Sequence, residues 1–221
     1  MKSLKDIANL LFPQRSICLF CRENTSHNLN HICPNCMDLV ELVNRRIDLP
    51  IPYLERVYYS LLYNRFVREK LHAFKFRGTS YLYKPFGELL VYSIHSLGLK
   101  GEIDAIAFVP LHRRKLATRG YNQCQLLARF VAESLKLPLL DRHLLKVKWT
   151  KDQNQLDKME RMNNLKDAFR AVGEEDIRDK KILLIDDIIT TGTTMRECSK
   201  ALMEKGASSV YGLALTSSMK V

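Results

Sequence analysis

The chain has 221 residues, of which 46 % are hydrophobic, enough for one substantial packed domain plus a small extra module and too many for a disordered polymer. Its 35 Lys or Arg against 24 Asp or Glu leave a formal net charge of +11, which suits a polyanionic partner such as nucleic acid, a membrane surface or a phosphorylated ligand, although an unspecialised basic surface would have the same composition. The charge is uneven: Pro110–Lys166 holds 13 Lys or Arg and only 5 acids, and so supplies most of the excess.

No run of 18 apolar residues occurs, so no membrane-spanning helix is expected. The N-terminal stretch lacks the apolar run and small-residue cleavage site of a secretory signal. It reads as a short amphipathic helix with Ile7, Leu10 and Leu11 on one face, and a cytoplasmic protein is expected. Next come Cys18-x-x-Cys21 and Cys33-x-x-Cys36, separated by eleven residues. Two such pairs can each grip one tetrahedral ion through a tight turn, so a closed structural Zn²⁺ site is expected. His27 or His31 could replace one thiolate, and a pair of disulfides would use the same residues in an oxidising compartment. Cys124 and Cys198 fall inside helical patterns and read as buried thiols.

Asn44–Pro52 has two prolines and no periodicity and reads as a linker, which divides the chain into residues 1–50, a four-cysteine zinc-binding module, and residues 51–221. Glu55–Asn64 is β-branched and aromatic and predicts strand or hairpin. Arg65–Phe76 places Val67, Leu71 and Phe74 on one helical face. Pro85–Leu97 predicts a helix stopped by Gly98, Asp104–Pro110 a buried strand, and Asn122–Lys136 an amphipathic helix capped by Asn122. Trp149–Asn164 is polar and lysine-rich and suits either a mobile loop or a solvated helix. Lys181–Ile185 predicts a strand, residues 186–193 a loop, Thr194–Lys205 a helix and Ser209–Thr216 a second strand, together a βαβ unit with a parallel sheet.

Ligands of parallel sheets bind at the carboxyl ends of the strands, where the loop after Ile185 lies. Thr190, Thr191, Gly192, Thr193 and Thr194 are small, carry hydroxyls apart from the glycine, and open a helix, whose free N–H groups and dipole seat a phosphate. Asp186 and Asp187 would repel that phosphate. They suit ribose hydroxyls, or a Mg²⁺ shared with those hydroxyls and a diphosphate. A phosphate seat beside diol-binding acids describes a ribose 5-phosphate site, and a chance strand capped by two acids is the bland alternative.

The thirteen positions Ile182–Thr194 resemble the 5-phosphoribosyl-1-diphosphate (PRPP) motif of type I phosphoribosyltransferases. Nearly the whole chain is similar to the ComF family of competence proteins, through the paired cysteines, His72–Gly78, Val109–Gln123 and Glu160–Phe169. The resemblance implies an α/β fold, a parallel sheet of the type I phosphoribosyltransferase kind flanked by helices, with a small N-terminal zinc module. It implies a role in handling single-stranded DNA during natural transformation, together with proteins of DNA uptake or recombination. It implies that Asp186 and Asp187 hold the reacting ribose, that Arg113 and Arg114, with Lys115, face the diphosphate, and that Trp149–Asn164, including Lys151, Gln153 and Arg161, form a hood over PRPP. A solvated basic turn at residues 113–115 remains open, and Arg119 stands equally between a ligand contact and a purely structural role. Phe108-Val109-Pro110 stands where the family often has Pro-Val-Pro.

Three functions fit: a PRPP-binding protein of DNA uptake that also binds single-stranded DNA through its basic stretch and aromatics such as Tyr121, Phe130 and above all Trp149; a metabolic phosphoribosyltransferase for a base or amine; or a regulator that keeps the fold without turnover. Nothing in the sequence identifies an acceptor.

Overall fold

The computed structural model describes residues 16–25, 31–48, 50–150 and 165–219. The expected N-terminal helix, His27, Lys151, Gln153 and Arg161 lie outside the described residues.

Two short strands, β1 (Ser16–Ile17) and β2 (Asn24–Thr25), pair antiparallel around the first cysteine pair, and helix α1 (Pro34–Leu39) carries Cys36 with Cys33 as its N-cap. β3 (Leu42–Arg46) follows and pairs antiparallel with β4 (Arg56–Leu61), with a register shift between Leu42 and Arg45 and Asn44 at φ +45°. The expected linker therefore begins later than its composition suggests: Asn44–Arg46 belong to a strand at a sheet edge, where a bulge and two arginines are tolerated.

Helix α2 (Arg65–Phe76) starts at Asn64, whose side chain accepts from the Val67 N–H at 2.9 Å, and buries Val67, Leu71 and Phe74, the three residues whose spacing predicted it. Helix α3 (Tyr83–Ser96) ends before Gly98, which is left-handed. β5 (Ala105–Phe108), helix α4 (Arg113–Arg119) and helix α5 (Gln123–Leu135) follow. The hairpin β6 (Leu144–Lys146) and β7 (Phe169–Ala171) frames the segment expected to be a hood, and a short helix α6 (Glu174–Ile177) leads to β8 (Lys181–Ile189), helix α7 (Thr193–Met203) and β9 (Ser209–Ser217).

The main sheet has the order β3-β4-β9-β8-β5, parallel except for β3. β8 and β9 are buried on both faces, which explains their near-continuous apolar runs. After β5 the chain passes through α5 and returns to the outer edge of β5, where Leu139 bridges Ile106 in parallel. After β8 the chain passes through α7 to β9, in the other direction. Right-handed crossovers in opposite directions put α5 and α7 on opposite faces and leave a crevice between the ends of β5 and β8. Among the described residues no helix is long and apolar enough to cross a membrane.

Candidate functional site

β5 pairs with β8 only as far as Phe108–Ile185; beyond that level β8 keeps β9 as its neighbour and loses β5. Asp186 and Asp187 are the first residues past this fork. β8 does not end at Ile185 as its sequence suggests but continues to Ile189, with Ile188 and Ile189 paired to Thr216 and Ser217. The acids thus sit inside a strand, where the ladder fixes their backbone and the missing β5 opens space beside it.

That space is a cleft of about 780 Å³. Asp186, Asp187, Thr190, Gly192, Thr193 and Thr194 line it, as do Lys115, Arg119 and Trp149; Thr191, Arg113 and Arg114 do not line it. The Thr191 hydroxyl lies 2.9 Å from the Thr193 hydroxyl and so shapes the loop from behind. Gly192 takes φ +73° at the N-cap of α7, a conformation that favours glycine, and a Cβ there would lie 2.6 Å from the Ile51 Cδ1, which would have to shift. Arg113 and Arg114 are exposed on the first turn of α4, and the Arg114 guanidinium lies 5.9 Å from the Trp149 ring centroid. The basic run is helical rather than an open loop because His112 caps it and Gly120, left-handed, ends it.

At the cleft floor the acids are tightly partnered. The Lys75 ammonium lies 2.9 Å from Asp187 Oδ1, and Gln123 Nε2 donates to Asp187 Oδ2 at 2.6 Å. Arg119 donates to the Gln123 Oε1 at 2.6 Å. Asp186 Oδ1 accepts from the Asp187 N–H at 2.8 Å and from the Cys124 thiol at 3.4 Å. Asn122 caps α5 by accepting from the Cys124 N–H at 2.9 Å while its amide donates to the Val109 carbonyl at 3.0 Å, which ties the start of α5 to the end of β5. Burial, then the charge of Asp187, pushes Asp186 up to about 7. Burial works against the Lys75 charge, but Asp187 and Asp186 outweigh it and hold the ammonium above its ordinary range. Burial, helped by both carboxylates, raises the Cys124 thiol well above its usual value, so it stays protonated as a donor.

Lys75, Gln123 and His72 are cleft residues to which sequence reasoning gave no role. Lys75 and His72 lie in the His72–Gly78 stretch that carries the family resemblance, and that was the available signal. Phe76 was also missed: it is 58 % exposed beside the cleft, with the Arg119 guanidinium 5.0 Å from its centroid. Of the aromatics considered for stacking, Trp149 is 54 % exposed, whereas Tyr121 stacks on Phe74 and Phe130 packs edge-on against Tyr83.

The second site is the cysteine cluster. One ligand atom from each of Cys18, Cys21, Cys33 and Cys36 lies within 4.8 Å of the others, so the four can hold a metal ion. The Cys33 N–H donates to Cys18 Sγ at 3.3 Å and the Cys36 N–H to Cys33 Sγ at 3.4 Å, the donors that thiolates on a metal accept. Burial disfavours the Cys18 thiolate, but backbone N–H groups of Cys21, Cys33 and Phe20 outweigh it and lower the thiol to about 7. His31 is turned away, bonded to Glu88 by Nδ1, so it does not substitute for a cysteine.

Residues 122–216 match the phosphoribosyl transferase domain family. Competence protein F of Haemophilus influenzae is 35 % identical over 65 % of this chain and 66 % of its own length. Competence protein ComFC of Bacillus subtilis is 29 % identical over 93 % of this chain and 86 % of its own, and DNA utilization protein YhgH of Salmonella typhimurium is 32 % identical over 63 % and 62 %. The alignments thus span slightly under two thirds of the Haemophilus and Salmonella relatives. With that domain laid over the forked strand, the acid pair and the threonine loop, the chain is a homologue of competence proteins F and ComFC that carries a phosphoribosyl transferase domain.

Proposed function

We propose that the protein binds PRPP with Mg²⁺ in the cleft at the fork of β5 and β8 and acts in natural transformation on single-stranded DNA. One observation carries the ligand reading: two adjacent buried carboxylates lie beside a small-residue loop that opens an eleven-residue helix, all on one cleft. The N–H groups at the start of α7, with the hydroxyls of Thr190, Thr193 and Thr194, suit the 5-phosphate. Asp186 and Asp187 suit the ribose hydroxyls, together with a Mg²⁺ ion whose remaining ligands would be oxygens of the diphosphate. Mg²⁺ would offset the charge that builds on a departing diphosphate. Lys115 and Arg119 line the same cleft and suit the diphosphate better than the outward Arg113 and Arg114.

The names of the relatives, competence and DNA utilization, support the cellular role, and the basic middle of the chain supports a nucleic-acid partner. Zn²⁺ in the cysteine cluster and a cytoplasmic location belong to the same reading, since four thiolates need a reducing compartment. Residues 1–50 then form the metal module and residues 51–221 the phosphoribosyltransferase-like unit, with β3 lending its ladder to the sheet.

Calorimetric titration of PRPP with Mg²⁺ into the wild type and the Asp186→Asn/Asp187→Asn variant tests the ligand. Saturable wild-type binding that the folded variant lacks is the expected result. No binding to a folded, zinc-loaded wild type would remove PRPP from the reading.

A further inference from the structure

Both oxygens of Asp187 are taken, one by the Lys75 ammonium at 2.9 Å and one by the Gln123 amide at 2.6 Å. Gln123 is itself fixed by Arg119. Lys75 comes from α2, far outside the acid-and-threonine motif, and its side chain is only 20 % exposed. A surface lysine near a carboxylate would be ordinary. A largely buried ammonium placed on the acid at the floor of the cleft is a positive charge where a divalent ion would have to sit.

Two cations cannot share one carboxylate at such distances without strong repulsion. We propose that Lys75 is the resident cation of the acid pair: a positioning residue that denies Asp187 to a divalent ion while the cleft is free of ligand and yields only to a metal that arrives with phosphorylated ligand. This rests on the reading of the cleft as a site for a ribose phosphate carrying a diphosphate. The negative charge of that ligand lets both cations remain: the metal takes Asp187, and the ammonium, on a flexible four-carbon stem that lines the same cleft, turns to a phosphoryl oxygen. Metal and ligand therefore enter together, and a bare divalent ion is held only weakly.

Mn²⁺ alone is titrated into ligand-free, zinc-loaded protein, and free Mn²⁺ is followed by electron paramagnetic resonance. The wild type and Lys75→Arg should bind Mn²⁺ weakly and alike. Lys75→Met should bind at least about tenfold more tightly, from removal of one positive charge beside the acids, and adding Asp187→Asn should abolish the gain. If Lys75→Met does not fold, Lys75→Gln, which keeps a donor to Asp187 without charge, carries the same expectation. Equal Mn²⁺ affinity with and without the positive charge would overturn the proposal. A parallel titration with PRPP, in Mg²⁺ and in chelator, separates the two ideas. If the wild type takes no PRPP under either condition, the ligand reading fails while the Mn²⁺ result still judges Lys75.

Discussion

Asp186 links folding to pH in a direction opposite to that of most carboxylates. An aspartate in the unfolded chain titrates near 3.8, and in the folded protein burial and Asp187 raise Asp186 to about 7. Between these values the folded state keeps a proton that the unfolded state has lost, so stability falls as pH rises through the window and stays lower above it. The difference amounts to at most about 4 kcal/mol. Thermal melts of the wild type should therefore drop between about pH 4 and pH 7 and level off above, and Asp186→Asn should flatten that drop; parallel curves would show that Asp186 does not carry the dependence. The motif around this residue was legible because a strand, two acids and a hydroxyl loop are contiguous in sequence. Lys75, Gln123 and Phe76 were not, because they meet the acids or the cleft only through the packing of α2 and α5, and no local pattern encodes that meeting.

At the scale of elements, α2 links the two candidate sites. Phe20 of the cysteine module makes edge-on ring contacts with Phe66 of α2 at 5.6 Å and Phe86 of α3 at 5.2 Å, and the Lys70 ammonium donates to the Phe20 carbonyl at 2.6 Å. Arg22, at φ +67°, reaches the Tyr81 hydroxyl, and His31 reaches Glu88. A module this small has little core of its own, so a metal held by its four cysteines would supply much of its folding energy. Phe20→Ala should cost roughly 3 kcal/mol, in the usual range for a buried phenylalanine, and chelation of the metal should lower the melting temperature of the wild type more than that of Phe20→Ala. Equal shifts on chelation would mean that the module and α2 are uncoupled. The helices were readable from their period and caps. The length of β8 was not: polar Asp186 and Asp187 looked like the end of a strand, yet the ladder to β9 carries them. Asn44–Arg46 looked like linker because an edge strand with a bulge needs no apolar alternation.

For the whole molecule, the basic excess and the cleft face the same question of what polyanion is bound. Exposed Phe76 and Trp149 both border the cleft mouth, each with an arginine near its ring. Stacking on such rings contributes about 1–3 kcal/mol per base and is indifferent to sequence. Fluorescence anisotropy with labelled oligo-dT should show binding that weakens steeply with salt, and Phe76→Ala/Trp149→Ala should weaken it by ten-fold or more, about 1.4 kcal/mol. An unchanged affinity in the double variant would place the nucleic acid on another face. The strand order lay beyond sequence reading, since nothing in β4 names β9 as its neighbour.

That neighbour has a consequence in time rather than in space. Arg56–Leu61 pairs with Tyr211–Thr216, and the Thr216 hydroxyl donates to the Leu61 carbonyl across 155 positions of chain. During synthesis β4 leaves the ribosome long before β9 exists, so its inner edge must wait unpaired, whereas the partners of the cysteine module on α2 and α3 follow within about sixty positions. Sheets closed by such distant partners fold slowly and expose a sticky edge meanwhile. The nascent chain is thus most open to misassociation in the interval before β9 arrives.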